Sequence, residues 1–193
     1  MTDTKVYQLK IQLSGVSKPP VWRQVTLLST YTLNDLHKII QGAMGWFNCH
    51  LHQFNIGGRY YSTPFPGDDE FDAEDSRKVS LAAIFQDRIK MNINYEYDFG
   101  DSWLHTISLE NVEEWDKKAT YPKLTAGKAA CPPEDCGGYP GYEQLKETMA
   151  NPKSADHKDM LGWLGLESAS DFDPSGFDVK AAQERMMNSF RAK

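Results

Sequence analysis

The clearest regularity in this chain is an alternation of apolar and polar residues near its start and again near its middle. In residues 6–14 and 89–97 every second side chain is apolar, which is the pattern of a β-strand with one buried face. The apolar members are Tyr7, Leu9, Ile11 and Leu13, and then Ile89, Met91, Ile93, Tyr95 and Tyr97. Both segments are therefore predicted to be strands of a half-buried sheet.

The first strand is predicted to pair with the segment that follows it and then to lead into a helix. Pro19 and Pro20 interrupt the alternation, and residues 21–28 are predicted to return as the second strand of a hairpin. Thr32 is placed to cap a helix, and Gly45 is placed to end it. The apolar stripe of this helix contains Leu33, Leu36, Ile40 and Met44.

A third strand, over residues 50–56, turns at two glycines into residues 59–61. The order strand, strand, helix, strand is similar to the start of a β-grasp roll, in which a helix crosses one face of a mixed sheet. The fold class predicted for the chain is therefore α+β, with a mixed or antiparallel sheet, a β-grasp-like start and helices at the C-terminal end.

The rest of the chain is predicted to complete the sheet and then to become helical. Ser80 is placed to cap a short helix, and residues 98–101 form a turn in which Gly100 is free to take a positive φ. A returning strand puts Trp103, His105, Ile107 and Leu109 on one face. Loops and helices follow, the helices over 139–150, 155–164 and 178–190. Residues 1–193 are predicted to form one domain, sheet-rich over about 5–110 and helical over about 111–193.

Composition narrows the functional classes. The chain has 40% hydrophobic residues and a mean hydropathy of -0.59, and it lacks an apolar run of the roughly 18 residues that a membrane span requires. A strand pattern begins almost at residue 1, so no signal peptide is expected. Three cysteines suit a reducing compartment better than a disulfide scaffold. A cytoplasmic location without membrane contact is expected.

Charge argues against nucleic acid as the main partner. Residues 1–60 hold six Lys/Arg and two Asp/Glu, whereas the rest of the chain holds 15 and 25. The basic residues are scattered, and the acidic run over 68–75, which is predicted to be a solvated loop, would repel phosphate. A protein partner fits this surface more readily. Nothing in the sequence sets the oligomeric state.

Two turn-forming segments carry the side chains of a candidate binding surface. One is the hairpin over 98–105, and the other is the loop over 131–138, which prolines stiffen and glycines allow to turn tightly. Carboxylates in such turns bind cations, serve in acid–base chemistry, or simply accept hydrogen bonds from turn amides. The sequence leaves these alternatives open. The candidate residues are Asp98, Asp101, Trp103, His105, Glu134 and Asp135.

Cysteines and histidines in the same regions suggest a metal, and a divalent ion such as zinc is the cofactor that they fit. The four residues between the two loop cysteines are at the loose end of zinc-ligand spacing. The alternative is that each histidine is buried, neutral and hydrogen-bonded. The candidate metal ligands are Cys131, Cys136, His105, His50 and His52, with Cys49 as a further donor. No catalytic residue is assigned.

Several motifs in this order resemble the plasmid pRiA4b ORF-3-like family over about residues 5–190. They are Val21, Trp22 and Arg23; Thr32, Leu33, Leu36 and His37; Trp46, His50, His52 and Phe54; residues 97–105, Tyr-Asp-Phe-Gly-Asp-Ser-Trp-Leu-His; and residues 132–138, Pro-Pro-Glu-Asp-Cys-Gly-Gly. The resemblance implies a compact α+β domain. It also implies an association of some relatives with mobile elements as resolvase-like passenger proteins, although the chain lacks a recombinase catalytic pattern.

Three functions are compatible with these observations. The first is a non-enzymatic binding or adaptor domain whose two polar segments form one surface. The second is a metal-dependent hydrolase in which Asp98, Asp101, His105, Glu134 and Asp135 share a site. The third is a mobile-element accessory protein that contacts DNA through its more basic N-terminal part. All site hypotheses depend on whether the two segments touch.

Overall fold

Within residues 3–64 and 72–192, which the computed structural model describes, eight strands form a single sheet. The strands are β1 (Lys5–Ser17), β2 (Pro20–Leu28), β3 (His52–Ile56), β4 (Arg59–Ser62), β5 (Glu74–Asp75), β6 (Asn92–Tyr97), β7 (Trp103–Glu114) and β8 (Lys123–Lys128). Their order across the sheet is β5-β4-β3-β6-β7-β1-β2-β8. The candidate hairpin over 98–101 therefore joins two neighbouring strands near the middle of the sheet.

The sheet is mixed, because β4 and β5 are parallel and the other neighbouring strands are antiparallel. β1 pairs with β2, which confirms the predicted hairpin, and it pairs with β7 on its other side. The α+β class is thus confirmed. The β-grasp-like detail is not confirmed, since both neighbours of the first strand run antiparallel to it, whereas a β-grasp roll gives that strand a parallel partner.

Five α-helices accompany the sheet in the described part of the chain. They are α1 (Leu33–Met44), α2 (Leu81–Phe85), α3 (Gly138–Ala150), α4 (His157–Leu164) and α5 (Val179–Arg191). Single 3-10 turns occupy Ser76–Lys78 and Ala169–Asp171. None of these helices combines the length and the apolar character that crossing a membrane requires.

α1 begins and ends where the sequence predicts. The Thr32 hydroxyl accepts a hydrogen bond from the Asp35 amide at 3.1 Å, and the Asp35 carboxylate accepts one from the Thr32 amide at 2.8 Å. Gly45 ends the helix at a φ of 97°. Inside the helix, a Cβ on Gly42 would lie 2.5 Å from Cα of Met186. Glycine at this position lets α5 cross α1 in close contact, which outweighs its cost to helix stability.

α1 also packs on the buried face of the sheet. Gln41 donates a hydrogen bond to the hydroxyl of Tyr95 in β6 at 3.1 Å. Arg23 in β2, 1% exposed, donates through Nε to the carbonyl of Ala43 at 2.9 Å. The apolar residues of the predicted alternation that lie within β1 and β6 are buried between sheet and helices, while Lys10 and Gln12 of β1 are more exposed. Ile89, which precedes β6, is 52% exposed, contrary to the prediction. The alternation therefore assigned the two faces correctly within the observed strands.

Three predicted details are wrong. β6 begins at Asn92 rather than at residue 89, and the region after 111 is not only loop and helix, because β7 continues to Glu114 and β8 follows. β8 has a weak apolar pattern because it is an edge strand in which Leu124 alone is fully buried. In the β6–β7 turn Asp98 and Ser102, rather than Gly100, take positive φ values of 59° and 53°.

Part of the acidic loop predicted over 68–75 cannot be compared with the fold. Residues 68–71 lie outside the described residues, and Glu74–Asp75 form β5 rather than loop. Asp75 also accepts two hydrogen bonds from the guanidinium of Arg77, at 2.8 Å each. The described end of this segment is therefore tied to the sheet edge.

Candidate functional site

The hairpin between β6 and β7 and the loop before α3 lie against each other. The Asp101 carboxylate accepts a hydrogen bond from the Gly137 amide at 3.2 Å. At Gly138, which has a φ of 64°, a Cβ would lie 2.5 Å from the carbonyl oxygen of Asp101. Glycine therefore permits the close approach of the two backbones. The condition on which every site hypothesis depended is met.

A third segment, which follows α1, joins the other two. The buried Trp46 indole donates to the carbonyl of Pro132 at 3.0 Å, and its ring stacks on Tyr97 with 5.0 Å between centroids. One residue later, the Phe47 amide donates to the Glu134 carboxylate at 2.8 Å. The loop before α3 is thus fixed to the end of α1 as well as to the hairpin.

Glu134 is the central acceptor of this contact. Its carboxylate accepts hydrogen bonds from the Tyr97 hydroxyl at 2.8 Å and from the Cys49 thiol at 2.7 Å. The Tyr97 hydroxyl in turn accepts from the Cys49 amide at 3.1 Å. Burial, followed by the bond to Glu134, raises the pKa of Tyr97, and the bond to Glu134 raises the pKa of the Cys49 thiol. Both groups therefore stay protonated and donate.

His50 faces two carboxylates without forming a regular hydrogen bond to either. Its Nε2 atom lies 3.1 Å from Oδ1 of Asp135 and 3.7 Å from Oδ2 of Asp98. That nitrogen is itself shielded from solvent but has no hydrogen-bond partner of acceptable geometry. A polar atom that is buried and unbonded is costly unless something else binds it.

The backbone fixes how the two aspartates are presented. Asp98 adopts a φ of 59°, its amide donates to the Leu51 carbonyl at 2.9 Å, and its Oδ1 accepts from the Gly100 amide at 2.9 Å. This arrangement directs Oδ2 of Asp98 toward His50. Asp135 has a φ of 56°, and 67% of its side chain is exposed. The site therefore has one buried and one solvent-facing carboxylate.

The spacing of these donors suits a metal ion. One ligand atom each from His50, Asp98 and Asp135 lie within 4.8 Å of one another, and the same is true of Cys49, His50 and Glu134. Zinc binds nitrogen and carboxylate oxygen at about 2.0–2.2 Å, so two ligands of one tetrahedral ion lie roughly 3.3–3.5 Å apart. The distances from His50 to its two carboxylates are close to this value.

Comparison with known proteins identifies the chain's relatives. The sequence profile of the plasmid pRiA4b ORF-3-like protein family matches residues 5–181. The chain belongs to this family. It is 38% identical over 171 residues, 87% of this chain and 84% of the relative, to the uncharacterized protein y4hQ of Sinorhizobium fredii.

A solved relative of the pRiA4b ORF-3-like chain has the same fold. It is MM3350 from Methanosarcina mazei Go1, described as a protein of unknown function. The two are 34% identical and superpose with a TM-score of 0.79, which covers 93% of this chain and 98% of the other. Neither relative's name states an activity, so function has to be inferred from the site.

The family fold places two of the predicted surface residues in the core. Trp103 and His105 are 2% and 1% exposed, and Nδ1 of His105 is 2.9 Å from the carbonyl oxygen of Trp103. Burial lowers the pKa of His105 to about 4. Neither residue contributes to an exposed surface, because both rings pack against Trp46 in the core. Asp98, Glu134 and Asp135 lie around His50, and Asp101 accepts a hydrogen bond from Gly137 in the same loop.

Of the five predicted metal ligands, His50 alone belongs to the donor groups described above. His52 lies deeper, stacked on His37 with 3.5 Å between ring centroids, and burial lowers its pKa to about 2. Cys131 and Cys136 are both partly buried, and burial raises the pKa of each thiol to about 12. A thiol that resists ionisation is a weaker metal ligand, because the metal binds the thiolate.

The sequence pattern did not indicate the roles of Tyr97 and the Phe47 amide. Tyr97 has the same strand parity as Tyr95, so the alternation assigns it to the core, and its ring is indeed buried. Only its hydroxyl extends to Glu134. The signal that would have found it is the position of Tyr97 next to Asp98, at the end of a strand where a buried ring can reach the site.

Proposed function

We propose that this protein binds a divalent transition metal, zinc in the first place, through His50, Asp98 and Asp135, and that the bound ion supports hydrolysis. The observation that carries the proposal is the Nε2 atom of His50, which is shielded from solvent, unbonded, and directed at two carboxylate oxygens. An ion placed among the three atoms would satisfy all of them at once.

Electrostatics supports the same conclusion. The cluster of Cys49, His50, Asp98, Glu134 and Asp135 contains three carboxylates and a single group, the imidazole, that can become cationic. Carboxylates held this close repel one another unless a positive charge offsets them. A divalent cation provides that charge, and imidazole nitrogen with carboxylate oxygen is a donor set that zinc accepts.

The number of ligands and the exposure of the site favour hydrolysis over a purely structural metal. Structural zinc sites have four protein ligands, whereas catalytic sites have three and keep a position for water. His50, Asp98 and Asp135 supply three, and the exposed Asp135 lies at the solvent side. Held by these three residues, the ion would supply activation of a water molecule near neutral pH, and Glu134 is the neighbouring carboxylate that would receive a proton.

A binding or adaptor role is the second candidate, and one observation favours it. Phe47 is 83% exposed and Leu51 is 47% exposed, and both belong to the segment that forms the site. Exposed apolar side chains next to a polar cluster are a common feature of protein-binding surfaces. Metal-loaded protein that shows no turnover of ester, phosphoester or peptide substrates would favour this role over hydrolysis.

The test of metal binding is calorimetric titration of the metal-free full-length chain with zinc and with manganese. The wild type is expected to bind about one ion per chain, and His50→Ala to lose at least about 100-fold in affinity, since it removes a ligand. Asp98→Asn should weaken binding comparably while its Oδ1 still accepts the Gly100 amide, so the turn is kept. His157→Ala, on α4 outside the cluster, is the matched histidine control.

Two results would contradict the proposal. One is the absence of saturable binding by the wild type for both ions. The other is an equal loss of affinity in His50→Ala and His157→Ala, which would assign binding to histidines in general. Circular dichroism of each variant distinguishes loss of a ligand from loss of the fold.

A further inference from the structure

A cavity of about 310 Å³ lies next to the metal-binding cluster, between α3 and α4. Asp135 lines the cavity and is also a proposed ligand of the ion, so the two sites adjoin at this residue. Its volume is at the lower end of the range for small-molecule sites, which is roughly 300–1,000 Å³. A ligand that fills the cavity would therefore place one of its own bonds near the ion.

The walls of the cavity combine apolar surface with negative charge. Leu145 from α3 and Met160 and Trp163 from α4 supply the apolar surface, and Trp163 is 47% exposed. Asp135 and Asp156 supply two carboxylates, of which Asp135 would be shared with the ion and Asp156 would not. The described residues that line the cavity include no lysine, arginine or histidine to balance them.

Asp156 is available to a ligand because the fold does not use its carboxylate. The residue is the N-cap of α4, where an aspartate usually accepts a hydrogen bond from an amide of the first turn. Here the side chain makes no such bond, and the residue is exposed at the cavity. A carboxylate that could cap a helix but lies instead at the wall of a cavity is suited to bind a cationic group.

We infer that this cavity binds an organic cation with an aliphatic stem, a primary ammonium or a guanidinium. The charged end would pair with Asp156 and lie near the face of Trp163, which attracts cations, while Leu145 and Met160 would pack on the stem. The inference that the cavity binds such a cation does not depend on the metal site. That the cation belongs to a hydrolysed substrate rests on the proposed function.

Two sources share this chemistry, namely a basic side chain of a peptide and a free polyamine. The probes are therefore N-acetyl-lysinamide, its neutral analogue N-acetyl-norleucinamide, and butane-1,4-diamine, each titrated into the full-length chain by NMR. Resonances of Gln144, Thr148 and the Trp163 indole report on the cavity. Stronger binding of the lysine derivative than of the diamine would assign the site to peptides, and the reverse to polyamines.

The expected result is saturable shifts of the cavity resonances with a cationic probe and binding at least about tenfold weaker for the norleucine analogue. Asp156→Asn keeps the shape of the side chain and should weaken cation binding about tenfold, whereas Asp159→Asn, on the same helix outside the cavity, should leave it unchanged. Equal binding of the charged and neutral probes, or equal effects of the two variants, would overturn the inference.

Failure of this inference can be distinguished from failure of the metal proposal by titrating His50→Ala with the same probes. If the wild type binds zinc but no probe shifts the cavity resonances, the cavity inference is wrong and the metal site stands. If the probes bind both wild type and His50→Ala but zinc does not bind the wild type, the cavity inference stands and the proposed function is wrong.

Discussion

Acidification should destabilise this protein through the buried imidazole of His105, and the effect can be measured by replacing that side chain. Nδ1 of His105 lies 2.9 Å from the carbonyl of Trp103, so the proton of the neutral ring resides on Nδ1. Nε2 is buried and has no hydrogen-bond partner. Protonation would therefore place a charge where nothing accepts it.

The sign and size of the effect follow from the pKa. Burial lowers the pKa of His105 from 6.5 to about 4, so the unfolded chain binds the proton more tightly than the folded one. The full stability is present above the unfolded pKa and is lost as the pH falls toward the folded value. Linkage gives a loss of about 2 kcal/mol between about pH 7.5 and about pH 5 from this residue alone.

The assay is urea denaturation of wild type and His105→Asn across that pH range. Asparagine can keep a donor near the Trp103 carbonyl but cannot titrate. Between about pH 7.5 and about pH 5, the free energy of unfolding of the variant should therefore fall by about 2 kcal/mol less than that of the wild type. The smaller side chain lowers stability at every pH, and for that reason the slope is the readout. Identical slopes for the two proteins would refute the reasoning, as would titration of His105 above pH 6 in the folded state.

Two further predictions concern packing and the site. Gly42→Ala should lose about 2 kcal/mol in urea denaturation, because its Cβ would lie 2.5 Å from Met186. Gly162→Ala, where no atom lies within 4 Å of the added Cβ, should gain about 0.5–1 kcal/mol, and equal effects would contradict the close crossing of α1 and α5. Tyr97→Phe should cost about 1–3 kcal/mol in urea denaturation, because Glu134 loses a donor; unchanged stability would contradict this role.

The sequence could predict the sheet where a single physical effect determines the pattern. Burial of one face produces the alternation in β1 and β6, and unpaired amides at a helix start explain why Thr32 and Ser80 were recognised as caps. The sequence pattern did not indicate β8, because it is an edge strand with one fully buried side chain. The β-grasp-like start is not confirmed for a different reason, since strand order depends on contacts between distant segments and not on local periodicity.

The site was predictable in part for the same reason. The turn chemistry of residues 98–101 and 132–138 identified Asp98, Glu134 and Asp135. Strand parity could not separate His50 from His52, because the two differ by one full period. The structure separates them: β3 begins at His52, so that ring is buried against His37, while His50 precedes the strand and turns toward the carboxylates.

The contacts that shape the site are largely separate from the atoms that would bind the ion. The Trp46 indole donates a hydrogen bond to the Pro132 carbonyl, and the Asp101 carboxylate accepts one from the Gly137 amide. Asp98 accepts a turn hydrogen bond through Oδ1, while its Oδ2 faces His50. A site assembled in this way does not require the metal in order to form, and binding does not have to offset the ordering of the loops. This differs from a structural zinc, whose removal unfolds the domain. Under the proposed function, three ligands that the fold holds in place and that face water would let the ion exchange and act on a substrate.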